Sequence, residues 1–462
     1  MSLFEIALAY HQRGDYENAL LHYDQALSAQ PQDFQALSNK GAALQKLRRF
    51  DEALSSYDAA IALTKKHAAI FNNRGVTLQE LHRLGDAIND FDAAVALEPR
   101  YADAYVNRGF VHHLRRDFDL AIQDYKTAIE IAPNFSAAHF NLSLSQLAVG
   151  DYANGWRNHE WRWQAVPDTP ARVFPDHQPL WVGQDIAGKT VFLYAEQGLG
   201  DTLQFCRYVE LVHQRGAQII LEVPQELRVL FAQMKGVDRL ITYGEEIGAF
   251  DFQCPLMSLP LVFGTELGTI PCSSSYLCAD ADKSMYWKQR LSVYSRLKVG
   301  IVWSGGFRLD QPKLWGVNNR RNLAIDHLKQ FESINADFFS LQKGERAEAE
   351  LAVFSEQTLS GPMLHNFVNE FKDFSDTAAF IDNLDLVISV DTSTAHLAAA
   401  LGKPVWILNR FDACWRWLKN RSDSPWYKSV RLYRQSEDGN WQSLMREVAA
   451  DLRRFISSRS SS

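Results

Sequence analysis

The first third of the chain repeats every 34 residues, and this repetition restricts the fold more than any other feature. Small and aromatic side chains recur at fixed offsets in four units: Ala19, Ala53, Ala87 and Ala121, then Tyr23, Tyr57, Phe91 and Tyr125, then Ala26, Ala60, Ala94 and Ala128. One internal position is glycine in three units (Gly41, Gly75, Gly109), and three units close with proline (Pro31, Pro99, Pro133), with Lys65 breaking the pattern. Such a period marks structural units that bury their apolar faces only against neighbouring copies. The sequence therefore predicts a stack of repeats.

The period and its offsets are typical of the tetratricopeptide repeat (TPR), a pair of antiparallel helices. Small residues let the two helices approach, and the aromatic ring fills the gap between them. A fifth, degenerate unit runs from Ser136 to about Trp163, where its Trp156, Trp161 and Trp163 suggest packing on the next domain. Stacked pairs form an α superhelix whose concave face usually holds a peptide or protein segment. Residues 1–165 are therefore predicted to bind a partner rather than to catalyse.

Polar residues on the first helix of each pair are the candidate partner contacts. Asparagine recurs at one position of the period and a cation at the next, as Asn39, Asn73 and Asn107 and as Lys40, Arg74 and Arg108. An Asn-Arg ladder could grip an extended backbone through its side-chain amides. The alternative is that these side chains are only solvated.

Whole-chain properties limit the classes of function. A chain of 462 residues predicts about three domains of roughly 150 residues each. Its net charge of −7 gives no general attraction to nucleic acid. No apolar run reaches 18 residues and Met1–Tyr10 already reads as a repeat helix, so neither a signal peptide nor a membrane span is expected. Five cysteines without CxxC spacing predict reduced thiols in the cytoplasm, and a metal site at Cys272 and Cys278 is disfavoured.

Strand and helix patterns alternate after the repeats. Residues 166–188 read as an ordered, proline-rich linker. Two α/β blocks follow, 189–290 and 297–458, and each predicts a parallel sheet with right-handed crossovers. The expected strands are 190–195, 218–223, 239–243, 298–303, 338–342, 386–390 and 404–408, and the expected helices are 202–214, 225–234, 323–331, 377–384 and 393–401. Two such domains in series imply a cleft between them.

Ligands of open α/β sheets bind at the carboxyl ends of the strands, and three turns here meet that condition. The first, Gly198-Leu-Gly-Asp201, opens a helix after the first strand and lacks the GxGxxG dinucleotide fingerprint. Its glycines allow close backbone approach, and Asp201 either points into the crevice or caps the helix. Gln197, Gly198 and Gly200 would line the crevice beside it.

The other two turns belong to the second block. Ser304, Gly305 and Gly306 would leave backbone donors free for a phosphate or a sugar, unless they form an ordinary tight turn. In the stretch from Val390 to His396 a strand ends, hydroxyl residues follow and a helix begins. Unpaired amides and the positive helix end favour an anionic diphosphate there. In this stretch Asp391 would bind ribose hydroxyls and His396 would face the phosphate. Thr392 and Ser393 would either bind the diphosphate-bearing ligand or simply cap the helix.

The stretch 374–406 resembles the donor-site region of the heptosyltransferase-like family 9 glycosyltransferases, in particular their TPR-bearing bacterial relatives. Those relatives also show the Trp-Arg-Trp and Ser-Pro-Trp-Tyr stretches found here at 415–417 and 424–427. The resemblance implies a GT-B fold that binds a nucleotide sugar between two Rossmann-like domains. It also implies transfer with inversion, without a metal or any cofactor other than the donor substrate.

The resemblance carries site residues over by motif. The family's catalytic aspartate, in a Gly-Asp turn after the first strand, matches Asp201. Its donor-site Asp-Thr and following His match Asp391, Thr392 and His396, and its acidic base-recognition residue, four past a glycine, matches Glu348. This sequence departs from the pattern at 409–411 (Asn-Arg-Phe, where relatives often have a Leu-Pro turn) and in its short first block.

With that resemblance the expected mechanism is general-base catalysis. Asp201 would take the proton of an acceptor hydroxyl that attacks the anomeric carbon opposite the diphosphate. Helix-terminal amides and cations would stabilise the leaving group in place of a metal. The candidate cations are Lys343, Arg320, Arg321 and Arg308. The acceptor side of the site is assigned to Gln197, Gly198, Gly200, Arg320 and Arg321. Arg320 and Arg321 could instead be a solvated turn. For Trp315 and Trp415, core packing is favoured over stacking on a sugar or a base.

Three hypotheses remain open at this stage. The first is an enzyme that glycosylates a protein or peptide delivered by the repeats. The second is a transferase for a saccharide or lipid-linked acceptor, with the repeats serving assembly, including a homo-oligomer. The third is a scaffold with a degenerate transferase fold. The presence of both Asp201 and the 391–396 turn argues against the third hypothesis.

Overall fold

The computed structural model describes residues 1–166, 174, 178–306, 315–357 and 363–460. The chain divides into two compact units, one of Met1–Gln146 with Asn158–Asp168 and one of Leu147–Arg157 with Thr169–Ser462. The five cysteines are free thiols. No helix in the described ranges is long and apolar enough to cross a membrane.

Antiparallel helix pairs build the repeat region, which confirms the predicted α superhelix. The four regular pairs are α1 Leu3–Gln12 with α2 Tyr16–Ala29, α3 Phe34–Lys46 with α4 Phe50–Leu63, α5 Ala68–Glu80 with α6 Leu84–Leu97, and α7 Ala102–Leu114 with α8 Phe118–Ile131. The degenerate unit comprises α9 Ser136–Val149, α10 Tyr152–His159 and the short α11 Arg162–Ala165.

Glycine and aromatic residues meet within each regular pair from the second to the fourth. A Cβ added to Gly75 would lie 2.7 Å from Cε1 of Phe91, so only glycine lets α5 approach the ring on α6 this closely. Gly41 with Tyr57 and Gly109 with Tyr125 repeat the contact. The periodic residues of the sequence are therefore the packing residues of the core.

The turn inside each pair also keeps the 34-residue period. Gly14, Arg48, His82, Arg116 and Gly150 have φ angles of 79°, 61°, 59°, 65° and 88°. The three non-glycine residues hold this left-handed conformation at a cost of about 1 kcal/mol each. Gly150 shows that the degenerate fifth unit continues the register of the others.

A four-stranded parallel sheet forms the first α/β block, in the order β3-β2-β1-β4. Its strands are β1 Thr190–Tyr194, β2 Gln218–Val223, β3 Arg239–Thr242 and β4 Phe252–Pro255, and its helices are α12 Leu199–Phe205, α13 Val209–His213, α14 Arg228–Phe231 and α15 Leu259–Val262. The single helix expected over 202–214 is interrupted by a 3-10 turn at Cys206–Tyr208. Within this turn, the side chains of Cys206 and Arg207 donate to the carbonyls of Leu203 and Gln204.

A six-stranded parallel sheet forms the second block, in the order β10-β9-β8-β5-β6-β7. Its strands are β5 Leu297–Val302, β6 Ala336–Ser340, β7 Leu364–Asn366, β8 Leu386–Val390, β9 Val405–Asn409 and β10 Val430–Arg434. The accompanying helices are α16 Ala281–Arg290, α17 Trp315–Arg321, α18 Glu345–Gln357, α19 Phe374–Ile381, α20 Ser393–Ala400 and α21 Trp441–Ser460. The segment expected as a helix at 323–331 is a 3-10 helix, Ile325–Phe331.

Helix α16 lies inside the range predicted for the first α/β domain, yet it packs on α19 beside the second sheet. The Trp287 ring meets Phe380 edge-on at 4.8 Å, and the Lys283 ammonium pairs with Asp376 at 2.7 Å. By its contacts, α16 is therefore part of the second block.

Strand order places the three candidate turns at switch points. In the first sheet the chain reverses its direction of travel between β1 and β4, and in the second between β5 and β8. Loops leaving such neighbouring strands diverge and open a crevice at the carboxyl edge of the sheet. The turns after β1, β5 and β8 leave from these positions.

Candidate active site

The turns after β1 and β8 meet where α12 and α20 begin. A Cβ added to Gly200 would lie 3.0 Å from Cδ2 of His396 and 3.6 Å from Cα of Ser393. Glycine at this position therefore lets the two helix starts approach closely. The structure brings Asp201 and the 391–396 turn into one site, although nearly two hundred residues separate them in sequence.

Asp201 is both a helix-capping residue and a member of this site. Its Oδ2 accepts the N–H of Gly198, the N-cap of α12, at 3.0 Å. Its Oδ1 pairs with the Arg416 guanidinium. The Asp201 side chain is 21% exposed, so an incoming group can still reach it. The two interpretations of Asp201 left open by the sequence are thus compatible.

Arg416 is the main site residue that the sequence reasoning missed. It lies in the loop after β9, and its Nε donates to Oε1 of Gln204 at 2.7 Å. Its Nη1 donates to Sγ of Cys414 at 3.0 Å, and the guanidinium lies 4.4 Å from the Trp415 ring centre. The available signal was the Trp-Arg-Trp stretch, which the resemblance noted without giving the arginine a role.

His396 lies one turn into α20 and is held by aromatic side chains from two later loops. It is buried, its ring stacks on Trp417 at 5.4 Å, and Tyr427 Oη lies 2.8 Å from its Nδ1. Burial lowers the pKa of His396 to about 4, although Asp391, 3.7 Å from Nε2, acts in the opposite direction. The imidazole is therefore neutral at neutral pH and supports the site by packing.

Tyr427 was also missed, within the Ser-Pro-Trp-Tyr stretch. Burial raises the pKa of Tyr427 to about 12, so the phenol keeps its proton. It can therefore donate to Nδ1 of His396, which leaves the other ring nitrogen to carry the hydrogen that faces Asp391.

Thr392 caps α20 as the simpler interpretation expected. Its Oγ1 accepts the N–H of Ala395 at 3.4 Å and lies 3.0 Å from Oγ of Ser389. Within the described chain, the N–H groups of Ser393 and Thr394 have no acceptor. The first turn of α20 therefore offers two backbone donors beside Asp391, whose side chain is 24% exposed.

At Ser304 and Gly305 the turn after β5 does not leave its backbone donors free, which favours the alternative of an ordinary turn at these two residues. The Ser304 N–H donates to Oε1 of Gln342 and the Gly305 N–H to Oδ1 of Asn322, both at 2.9 Å. A Cβ at Gly305 would collide with the Arg321 guanidinium, so glycine there admits the arginine. Gly306 is exposed.

Two of the candidate cations are held by protein groups. The Lys343 ammonium donates to the Phe371 carbonyl at 2.6 Å, and Arg320 pairs with Asp412 at 3.0 Å. Arg308 and the Trp315 side chain lie outside the described residues.

Glu348 lies in the first turn of α18, and Gln197 lies in the turn after β1. Oε1 of Glu348 accepts the Gly344 N–H at 3.0 Å in the first turn of α18, where the carboxylate stabilises the helix start. Gln197 is exposed in the turn after β1.

Trp415 packs in the core, as the favoured interpretation predicted. Its ring meets Trp156 edge-on at 5.3 Å and lies 6.2 Å from Trp426. Trp156 thus packs on the α/β region as expected. Trp161 differs, because it stacks on His139 at 4.1 Å within the repeat unit.

Two members of the polar ladder, Asn73 and Asn107, are linked through Asn72 rather than merely solvated. Asn107 donates to Asn72 at 2.9 Å, and Asn72 donates to Asn73 at 3.4 Å. The adjacent cations are paired within the repeats: Lys40 with Asp24, Arg74 with Asp58 and Asp90, and Arg108 with Asp92 and Asp124. The cationic half of the expected Asn-Arg ladder is therefore neutralised internally.

Comparison with known families matches the repeats and the α/β region to different families. Profiles described as tetratricopeptide or TPR repeat match residues 7–47, 35–68 and 102–135. The profile of glycosyltransferase family 9 (heptosyltransferase) matches residues 338–408, which include the 391–396 turn.

Similar proteins include Protein FlbA of Caulobacter vibrioides, 27% identical over 335 residues that make up 68% of this chain and 54% of FlbA. The chain thus spans about half the length of that relative. Among solved structures, MamA is 23% identical with a TM-score of 0.32, covering 35% of this chain and 95% of its own. A thermophilic TPR protein of Thermus thermophilus is 22% identical with a TM-score of 0.31, covering 36% of this chain and 90% of its own. The family matches confirm the resemblance found in the sequence: this is a TPR-containing, glycosyltransferase-like protein.

Proposed function

We propose that the protein is an inverting, metal-independent glycosyltransferase that moves a sugar from a nucleotide-sugar donor to a hydroxyl of a protein acceptor. The observation that carries the proposal is the meeting of α12 and α20 at Gly200. It brings the Asp201 carboxylate beside the amides of a helix start, unpaired within the described chain, in the segment that matches glycosyltransferase family 9.

The donor diphosphate would bind at the first turn of α20. The N–H groups of Ser393 and Thr394 and the positive helix end favour an anion there, and Asp391 can accept ribose hydroxyls. The described residues contain no cluster of three His, Cys, Asp or Glu side chains placed to hold a metal ion. In this proposal backbone amides and cations stabilise the leaving diphosphate.

Asp201 would act as the general base. The acceptor oxygen forms a bond to the anomeric carbon as the carbon–oxygen bond to the diphosphate breaks on the opposite face, and the hydroxyl proton passes to Asp201. Attack from the face opposite the leaving group inverts the anomeric configuration.

The repeats would recruit the acceptor. An acceptor held by the repeats of the same molecule reacts as though present at roughly millimolar concentration, even when its direct affinity for the site is low. Asn73 and Asn107 support this role because Asn72 links their side-chain amides across neighbouring repeats.

Calorimetry with UDP, GDP, ADP and CMP, with and without EDTA, tests donor binding to the full-length protein. We expect one nucleotide to bind with an affinity that EDTA does not change. Binding that disappears in EDTA would contradict the metal-free mechanism. Binding without hydrolysis of any corresponding sugar nucleotide would instead indicate the scaffold.

A proline substitution tests the proposed phosphate site by removing a single backbone N–H. Ser393 is the first residue of α20, where proline fits a helix, and Thr392 before it is already extended (φ −140°, ψ 165°). Ser393→Pro removes one N–H and should weaken nucleotide binding about tenfold or more, since a hydrogen bond to a charged group contributes roughly 1.5–3 kcal/mol. Ser393→Ala, which keeps the N–H, is the matched control. Equal affinities for the two variants would place the diphosphate elsewhere.

A further inference from the structure

We infer that Arg416 is a positioning residue for Asp201 and that the segment Leu147–Arg157, at the end of the repeats, supports it. This inference rests on the proposed function, because it assigns the structural support of the proposed base.

Arg416 and Gly198 together fix the plane of the Asp201 carboxylate. The Gly198 N–H binds Oδ2 at 3.0 Å, and the Arg416 guanidinium binds Oδ1. With a donor on each oxygen, the carboxylate has one rotational setting. The lone pairs that remain point in defined directions, as a base that must meet an acceptor hydroxyl requires.

One edge of the Arg416 guanidinium binds two side chains on the same face of α12. Nη2 of Arg416 bonds Asp201 and Nε bonds Gln204, which lies three residues further along the helix. Residues three apart in a helix are neighbours on its surface. The planar fork of arginine matches two acceptors placed in this way, whereas a lysine ammonium would hold only a point contact.

The described contacts favour positioning over direct binding of the leaving diphosphate. The three nitrogens of Arg416 bond Asp201, Gln204 and Cys414, and the residue is 9% exposed. Its guanidinium also lies near the rings of Trp415 and Phe205, at 4.4 and 5.8 Å from their centres. Three of its five N–H donors are therefore bonded to the base and its surroundings.

The loop that carries Arg416 is held on both sides. Trp417 stacks on His396, and on the other side Trp415 packs against Trp156. Leu418 has a φ of 54°, a strained value for leucine that persists only where the surroundings enforce it.

Some of the contacts that hold this part of the chain come from the end of the repeats. The Lys419 N–H donates to the Ala148 carbonyl at 3.1 Å, and the Trp426 indole donates to the Tyr152 hydroxyl at 3.0 Å. Residues 147–157 group with the α/β region rather than with the other repeats. The degenerate fifth unit therefore departs from the repeat pattern in the segment that supports the base.

The test measures hydrolysis of the sugar nucleotide identified by calorimetry, for Arg416→Ala and Arg416→Lys in the full-length protein. We expect Arg416→Ala to lower kcat about 100-fold, the size of effect that follows from a misplaced catalytic group, with nucleotide Kd changed less than about twofold. Guanidinium chloride should restore part of this loss in Arg416→Ala. Arg416→Lys should lower kcat by a smaller factor. The matched control is Arg421→Ala, which removes a half-buried arginine that is paired with Asp423 rather than with Asp201.

A double-mutant cycle separates positioning from independent roles. If Arg416 acts through Asp201, Arg416→Ala should slow the Asp201→Asn enzyme hardly at all. Additive losses would overturn the inference, as would an unchanged kcat in Arg416→Ala. A rise of about tenfold in nucleotide Kd with unchanged kcat would assign Arg416 to the diphosphate and also overturn it.

Two further outcomes distinguish failure of this inference from failure of the proposed function. If Arg416→Ala fails to unfold cooperatively on heating, the cycle is run with Arg416→Lys. If the wild-type protein hydrolyses no sugar nucleotide, the proposed function fails and this inference fails with it. Normal wild-type turnover together with normal Arg416 variants would sink only the inference.

Discussion

The repeats and the candidate active site differ in how their contacts are spread along the chain. Gly75 meets Phe91 only 16 positions later, and the same contact recurs in the neighbouring repeats. Asp201 meets Arg416 across 215 positions, and that contact occurs once. Periodic contacts leave a signal in the sequence each time they repeat. A contact made once, between residues that follow strands of two different sheets, leaves no such signal in the sequence.

Two truncations test where the repeats end and the site begins. Deletion of residues 1–133 should preserve nucleotide binding but abolish transfer to a macromolecular acceptor. Deletion of 1–157 also removes Trp156 and Tyr152, and loss of a buried tryptophan alone costs about 3–5 kcal/mol, so cooperative unfolding and nucleotide binding should both disappear. Calorimetry and thermal unfolding compare the two proteins. Full acceptor modification by the shorter deletion would refute recruitment by the repeats.

Asp201→Asn tests the site without touching the repeats. The amide oxygen can still accept the Gly198 N–H, so the fold and nucleotide affinity should persist while turnover falls by about 10²–10⁴. Asp373→Asn, at the N-cap of α19, is the control for losing a helix-capping carboxylate. Normal turnover in Asp201→Asn would leave the residue as a cap and place the base elsewhere.

The corrected expectations have a common physical origin. Ser304 and Gly305 follow a strand as expected, but side-chain amides 38 and 17 residues further along the chain, Gln342 and Asn322, take their N–H groups. The turn position follows from local pattern, whereas the partner depends on where other strands end. The strands β1 and β8 and the repeat helices were predictable because each carries its own period or apolar run.

The same reasoning explains the residues that were missed and the burial of His396. His396 lies one turn into the helix after β8, which predicts that it can face a phosphate. Its burial is decided by Trp417 and Tyr427, which enter from loops 21 and 31 positions away. Arg416 stood in a stretch whose resemblance was noticed, but only the fold shows that it faces Asp201.

His396 predicts a pH dependence of stability that belongs to the α/β region. Burial lowers its folded-state pKa from 6.5 to about 4, so between these values the unfolded chain binds the proton and the folded chain does not. The free energy of unfolding should therefore fall by about 3 kcal/mol as pH drops from about 7 to about 4, through this residue alone. Denaturant unfolding of wild type and His396→Gln measures the difference in slope. The exposed His213→Gln is the control, and equal slopes for wild type and His396→Gln would contradict the burial.

The asparagine ladder carries the smallest expected effect and tests whether the repeats act on the acceptor at all. Substituting Asn39, Asn73 and Asn107 by alanine removes amides on three successive repeats, while the ion pairs of Arg74 and Arg108 remain. A net hydrogen bond contributes roughly 0.5–1.5 kcal/mol, so the acceptor KM should rise about three- to tenfold with donor hydrolysis unchanged. Asn89→Ala, on the second helix of the third pair, is the control. If the triple variant and the control give the same KM, the ladder serves the packing of the repeats, and the acceptor is selected by the α/β region alone.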